Sequence, residues 1–201
     1  MEADWEFEVG PDASGLAAPV IEADWPGFVD LRHHPERIEE IQEVAAFPPL
    51  AALLEALNGN HSPLWTVKCD LWEPEADELA GPAAAGKAAT LSGLIPRAAL
   101  ACYVDLLPLA GEVFAQAQQV EAFCREWVAR LAPLQLPQCR VDLVIRQALA
   151  GQSEGFGITA YLSAWGQEIS AAAEALAATL AAFADAIPAF AAPETRASKL
   201  Q

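Results

Sequence analysis

The chain has 201 residues, of which 54 % are hydrophobic and 19 % charged, with a formal net charge of −17. At that length about 70 % of the unfolded surface can be buried, so one core suffices without a disulfide or metal staple. The negative field repels phosphate and sets ordinary nucleic-acid binding aside. It is uneven, since residues 1–43 hold twelve carboxylates against Arg32 and Arg37.

Met1 is followed by the acidic EADWEFEV, where a secretory leader would be basic. No uncharged apolar run approaches ~18 residues, so a cytoplasmic protein without membrane contact is expected. In that first stretch Trp5, Phe7 and Val9 alternate with Glu6 and Glu8, the period of a strand. After GPDASG, the stretch APVIEADW reads as a weaker strand, expected to pair with the first as a long-looped hairpin. Residues 33–47, HHPERIEEIQEVAAF, read as a helix entered at Pro35, with Ile38, Ile41 and Ala45 as its stripe. His33 and His34 are adjacent and cannot face one metal together, so they read as helix entry. Pro48-Pro49 starts a second helix, LAALLEALNG, with Asn58-Gly59 as its C-terminal cap.

From residue 64 the pattern changes. LWTVKCDLW reads as a strand, with Trp65, Val67, Cys69 and Leu71 on one face. A loop rich in Gly, Pro, Ala and acid occupies 73–93. Its GPAAAGK lacks the Ser or Thr that a phosphate loop needs after Lys87. RAALACYVDLL follows as a strand, and EVFAQAQQVEAFCREWVARL as one helix with Val113, Val120, Phe123, Trp127 and Leu131 at helical spacing. CRVDLVIRQA is a third strand in this region, GQSEGFG a turn and ITAYLSAW a fourth strand. EISAAAEALAATLAAFADAI is the last helix, and 189–201 reads as a loose tail.

The order is therefore β-β-α twice. Lys68 and Asp70 match Arg140 and Asp142 on the first strand of each unit, and Tyr103 matches Tyr161 on the second. The expected fold is α+β, as one domain over 1–188. Two duplicated β-β-α units, 63–132 and 137–188, form a four-stranded antiparallel sheet with both helices on one face. Residues 1–62 supply an N-terminal strand and helical-pair segment packed on that core. The helices are expected to cover the apolar phase: Val67, Cys69, Leu71, Leu100, Cys102, Val104, Val141, Leu143, Ile145, Ile158, Ala160 and Leu162. Cys69, Cys102, Cys124 and Cys139 form no C-x-x-C pair and read as free core thiols.

The opposite face then carries Lys68, Asp70, Trp72, Tyr103, Asp105, Arg140, Asp142, Arg146, Tyr161 and Trp165, with Ser163 among them. Charged side chains alternating with Tyr and Trp suit a partner surface. They also suit a face whose ion pairs balance themselves beneath the N-terminal segment. No catalytic signature, metal set or cofactor motif is present. The expected function is a non-enzymatic binding protein, with a protein partner or a second copy of itself (a homodimer), using this face or the acidic N-terminal region. The alternative is a small-molecule enzyme or ligand sensor with a site between the repeats, in which Asp70 and Asp142 approach each other and one is pushed up as a general acid. An acidic chaperone or nucleic-acid mimic is the second alternative, resting on charge alone.

Overall fold

Alternation of large apolar residues builds the sheet, and the longer amphipathic stretches lie across it. The computed structural model describes residues 1–10, 17–74 and 96–188. Most of the 73–93 loop, including GPAAAGK, and the 189–201 tail lie outside the described residues. The strands are β1 (Glu2–Glu8), β2 (Ile21–Glu22), β3 (Leu64–Trp72), β4 (Ala98–Pro108), β5 (Cys139–Ala150) and β6 (Ser153–Gly166). The helices are α1 (Gln42–Ala46), α2 (Pro49–Asn58), α3 (Gly111–Phe114), α4 (Ala117–Leu131) and α5 (Ile169–Asp185). None is long and apolar enough to cross a membrane.

The fold is α+β around one mixed sheet of six strands, in the order β1-β5-β6-β4-β3, with β2 also on β5. β5, β6, β4 and β3 pair antiparallel. The expected N-terminal hairpin does not form. β1 and β2 instead run parallel to β5 along its outer edge, β1 beside Arg140–Arg146 and β2 beside Ala148–Leu149. Charge favours this register, because it sets Glu2 opposite Arg140 and Glu8 opposite Arg146. The sheet is thus wider than four strands and not wholly antiparallel.

One face is apolar and lies beneath α2, α4 and α5. Leu100, Cys102, Val104, Val141, Leu143, Ile145, Ile158, Ala160 and Leu162 are all buried there, and Cys69 and Leu71 pack against them. Trp127 of α4 stacks on Phe183 of α5 with ring centroids 4.0 Å apart, and its indole N–H donates to the Phe183 carbonyl at 3.2 Å. That bond satisfies the one polar atom a buried indole brings into a core.

Val67 is the exception to the expected phase. The β3–β4 register shifts between Thr66 and Lys68, a β-bulge that turns the strand's side chains over. Cys69 and Leu71 therefore face the helices, while Trp65 and Val67 join a second, smaller core with Ile21, Ala23, Leu107, Phe114 and Ala148. The segment after β2 closes this core, bringing in Trp25 and Phe28. Trp65 is held edge-on by Phe28 at 5.8 Å and capped by the Arg32 guanidinium at 3.7 Å. Arg32 is itself gripped by both carboxylate oxygens of Asp30, which holds the Asp30 carboxyl well below the usual carboxylate range.

Other elements also depart from the expected ones. The turn expected over GQSEGFG is shorter, for only Gly151 and Gln152 turn the chain and β6 begins at Ser153. Its glycines let two segments press close: a Cβ on Gly155 would lie 2.4 Å from the Phe114 carbonyl oxygen, and one on Gly157 would lie 2.6 Å from Leu107. The helix expected over 112–131 breaks at Gln116, which is extended. The break lets Val113 face the main core and Phe114 the smaller one. The helix expected over 33–47 divides into a 3₁₀ segment, Pro35–Glu40, and α1, because Ile41 is extended between them. Gly59 does not adopt the left-handed conformation of a glycine cap. The Asn58 amide closes α2 instead, donating to the Leu54 carbonyl at 2.8 Å and to the Thr66 hydroxyl at 2.7 Å.

Candidate functional site: the open face of the sheet

The face turned away from the helices is a grid whose rows follow from register. One row crosses five strands: Asp4, Asp142, Tyr161, Tyr103 and Asp70. Flanking it on one side run Glu2, Arg140, Ser163, Ala101 and Trp72, and on the other Glu6, Val144, Thr159, Asp105 and Lys68. Neighbouring strands lie about 4.8 Å apart, so Asp70 and Asp142 are separated by about three such steps, with both tyrosines between them. They do not form the approaching carboxylate pair of the alternative reading.

The register does bring together most of the residues singled out from sequence. The ring of Tyr103 lies 5.9 Å from that of Tyr161 and 6.3 Å from that of Trp72. Trp165 is half-buried one row further on, opposite Ala99, and stands apart from this run. Arg140 clasps Asp142 through two bonds of 2.6 and 2.7 Å and reaches Glu2 at 3.5 Å. Arg146 is nine-tenths buried. Its guanidinium donates to Glu8 at 2.9 Å and to the Thr159 and Tyr161 hydroxyls, both at 3.1 Å. Burial opposes the Arg146 charge, yet these bonds outweigh it and its pKa is raised. The Thr159 hydroxyl in turn donates a hydrogen bond to Asp105 at 2.6 Å. Burial pushes the Asp105 carboxyl up, against the Thr159 bond and the charges of Arg146 and Lys68. A hydrogen bond with Tyr103 raises the Lys68 pKa.

β1 supplies what sequence reasoning missed. Its even-numbered residues, Glu2, Asp4, Glu6 and Glu8, extend this face, whereas Trp5 lies across the strand against the main core. With Asp70, Asp105 and Asp142 they make seven carboxylates, against the cations Lys68, Arg140 and Arg146. Asp4, Glu6 and Asp70 have no cation at ion-pair distance among the described residues. Beside Tyr161 the face dips into a hollow of about 390 Å³ lined by Asp4, Glu6, Arg140, Asp142 and Arg146. Among the described residues the N-terminal segment packs on the end of the face at Trp65 and Val67, with the Trp25 ring 5.7 Å from the Lys68 ammonium.

Asp4 and Asp70 do one thing more. Each carboxylate accepts the backbone N–H of the next residue, Trp5 and Leu71, at 2.8 Å.

Covalent chemistry finds little support in the thiols. Burial pushes Cys69 and Cys102 up to about 12 and raises Cys124 and Cys139 as well, and a nucleophilic cysteine needs the opposite shift. Among the described residues no group of His, Cys, Asp and Glu could hold a metal ion. Comparison with known proteins gave no match: no family model, no curated protein and no solved structure is significantly similar to this chain.

Proposed function

We propose that this is a cytoplasmic binding protein whose open sheet face receives a basic segment of a partner protein. The observation that carries the reading is the composition of that face, a run of three rings, Trp72, Tyr103 and Tyr161, among seven carboxylates and three cations. Arg140 and Arg146 are already committed to carboxylates of the same face, so the unspent charge is negative. Aromatic rings beside such charge favour Lys and Arg through both ion pairing and cation–π contact. A second copy of the chain would bring the same excess charge against it, so charge argues for a basic partner over a homodimer. Four free thiols, three of them buried, suit a reducing compartment.

The same reading treats 63–132 and 137–188 as copies of one β-β-α unit, related by a twofold between Tyr103 and Tyr161. It is supported by the direct pairing of the two tyrosines and by the equivalent pairings Asp70 with Tyr103 and Asp142 with Tyr161. Equivalence predicts that the reciprocal exchange Lys68→Arg with Arg140→Lys costs below about 1 kcal/mol. A larger loss in urea unfolding denies it.

The binding test uses an extended synthetic peptide alternating Lys or Arg with apolar residues, and a matched Glu peptide. Wild type should bind the basic peptide with an affinity that falls as salt rises. The double variant Asp4→Lys, Glu6→Lys changes two exposed side chains and should weaken binding at least tenfold. Absence of binding, or equal binding by the variant, would overturn the proposal. A salt-insensitive dimer in sedimentation that disappears in Tyr103→Ser would hand the face to a second copy instead.

A further inference from the structure

A hollow of about 370 Å³ lies beside the turn of the β5–β6 hairpin, walled by Val20, Ala148, Leu149 and Phe156, with the exposed Glu154 also on its lining. Its surroundings are apolar and uncovered. Among the described residues six large apolar side chains are exposed, and Phe7, Val9, Val20 and Leu149 are four of them. α4 reaches β1 at Trp5, whose ring lies 5.5 Å from the Arg125 guanidinium. Phe7 stands two residues further, opposite Ile145, and is 39 % exposed. The chain turns back after Val9, the Ala18 N–H donating to the Gly10 carbonyl at 3.2 Å, and β2 re-enters the same edge of β5. Apolar side chains gathered in this way mark a surface that meets something.

Register places charge around this corner. Ile21 and Ala23 belong to the smaller core, so strand alternation turns Glu22 to the opposite side. There Glu22, Leu149 and Glu154 form one row across β2, β5 and β6. Both glutamates are exposed, and neither makes an ion pair among the described residues. At about 4.8 Å per strand they stand about 10 Å apart, with Leu149 between them.

We infer that this corner is a docking surface for an amphipathic helix of a partner protein, with Lys or Arg at positions i and i+7 and Leu or Phe at i+3 or i+4. Charge complementarity and spacing carry the choice. Residues i and i+7 share one side of a helix and lie about 10.5 Å apart along its axis, which matches the separation of Glu22 and Glu154. Same-side residues of an extended segment recur about every 6.7 Å, so they stand about 7 or 13 Å apart and miss the row. The apolar residue between the two cations falls over Leu149 and enters the hollow against Val20 and Phe156. The hollow is at the small end for ligand sites and suits one large side chain as an anchor. A second copy of the chain would set the same two carboxylates against themselves, and an anionic lipid surface would meet them as like charges. This surface is separate from the row of Asp4, Asp142 and Tyr161 and does not rest on the basic-partner reading of that face.

The experiment titrates the full chain into three labelled, alanine-based helical peptides and reads fluorescence anisotropy. The first carries Lys at i and i+7 with Leu at i+4. The second replaces that Leu by Ala, and the third sets the two lysines two residues apart, so that they face opposite sides. The first should bind with an affinity that falls as salt rises, and the other two at least tenfold more weakly. Glu22→Lys with Glu154→Lys should weaken the first peptide at least tenfold, whereas the charge-matched pair Glu174→Lys with Asp185→Lys, exposed on α5, should change it less than twofold. No binding at millimolar concentration, equal binding of the three peptides, or equal effects of the two charge-reversed variants would each overturn the inference. So would loss of binding in Asp4→Lys with Glu6→Lys alone, which would move the peptide to the open face, or a dimer of the protein that Leu149→Ser dissolves. Should the Glu22 and Glu154 variant fail to fold, the peptide comparison on wild type decides by itself.

Discussion

Tyr103 and Tyr161 stand in direct register on the two central strands with their rings 5.9 Å apart, yet their hydroxyls serve different neighbours. Tyr161 accepts from Arg146, which is nine-tenths buried, whereas Tyr103 bonds Lys68, which is exposed. A donor left without its acceptor costs more where water cannot replace it. Tyr161→Phe should therefore lose about 1–2 kcal/mol and Tyr103→Phe no more than about 0.5 kcal/mol. Urea midpoints at constant slope measure both. Equal losses would show that Arg146 does not depend on the Tyr161 hydroxyl.

Asp105 gives a pH dependence with a defined sign. Burial raises its pKa in the folded chain above 3.8. A carboxyl raised in this way contributes its full stability below the unfolded pKa and loses it as pH rises through the folded one. Asp105→Asn removes the titration and keeps an oxygen to accept from Thr159. Relative to wild type the variant should gain stability as pH climbs from 3.8 toward neutrality. Urea midpoints at pH 3.5 and pH 7 test this, and an advantage that shrinks with pH would contradict the burial argument.

The glycines of β6 make a steric prediction. Gly155→Ala and Gly157→Ala each place a methyl group within 2.6 Å of atoms from a facing segment. Overpacking of that kind costs about 1–3 kcal/mol. Gly111→Ala meets nothing within 4 Å and should leave stability nearly unchanged. Thermal midpoints of the three variants make the comparison, and a neutral Gly155→Ala would mean that Phe114 does not press on this strand.

Buried thiols should be silent. Cys102, Cys124 and Cys139 are buried and Cys69 is half-buried, all with raised pKa values. Reaction with a thiol reagent at pH 8 should therefore be slow and should accelerate with urea, because opening of the chain limits it. Fast stoichiometric labelling without denaturant would contradict this.

The strands at 98–108 and 139–150 and the helices that cover them were legible because alternation and helical spacing are local signals. What escaped the sequence is non-local. Val67 follows the strand period from Cys69, but the bulge that turns it toward Trp65 is a property of pairing with β4. Gly155 and Gly157 carry the composition of a turn, and only the facing residues Phe114 and Leu107 explain why they lie in a strand. The charged grid was half visible. Arg140 and Asp142, two apart on one strand, necessarily share a face. Glu8 lies 138 residues from Arg146, and nothing near either residue announces a parallel strand pair.

The aspartates at the two ends of the central row also decide how the sheet ends. An outer strand usually offers unpaired N–H groups to any extended segment that drifts past, the route to ladder growth and aggregation. Asp4 and Asp70 occupy the N–H groups of Trp5 and Leu71 from within their own strands, and their charges stand where an incoming strand would have to lie. At these two positions the N–H groups are already taken within the strand, and a negative charge beside each discourages strand addition there.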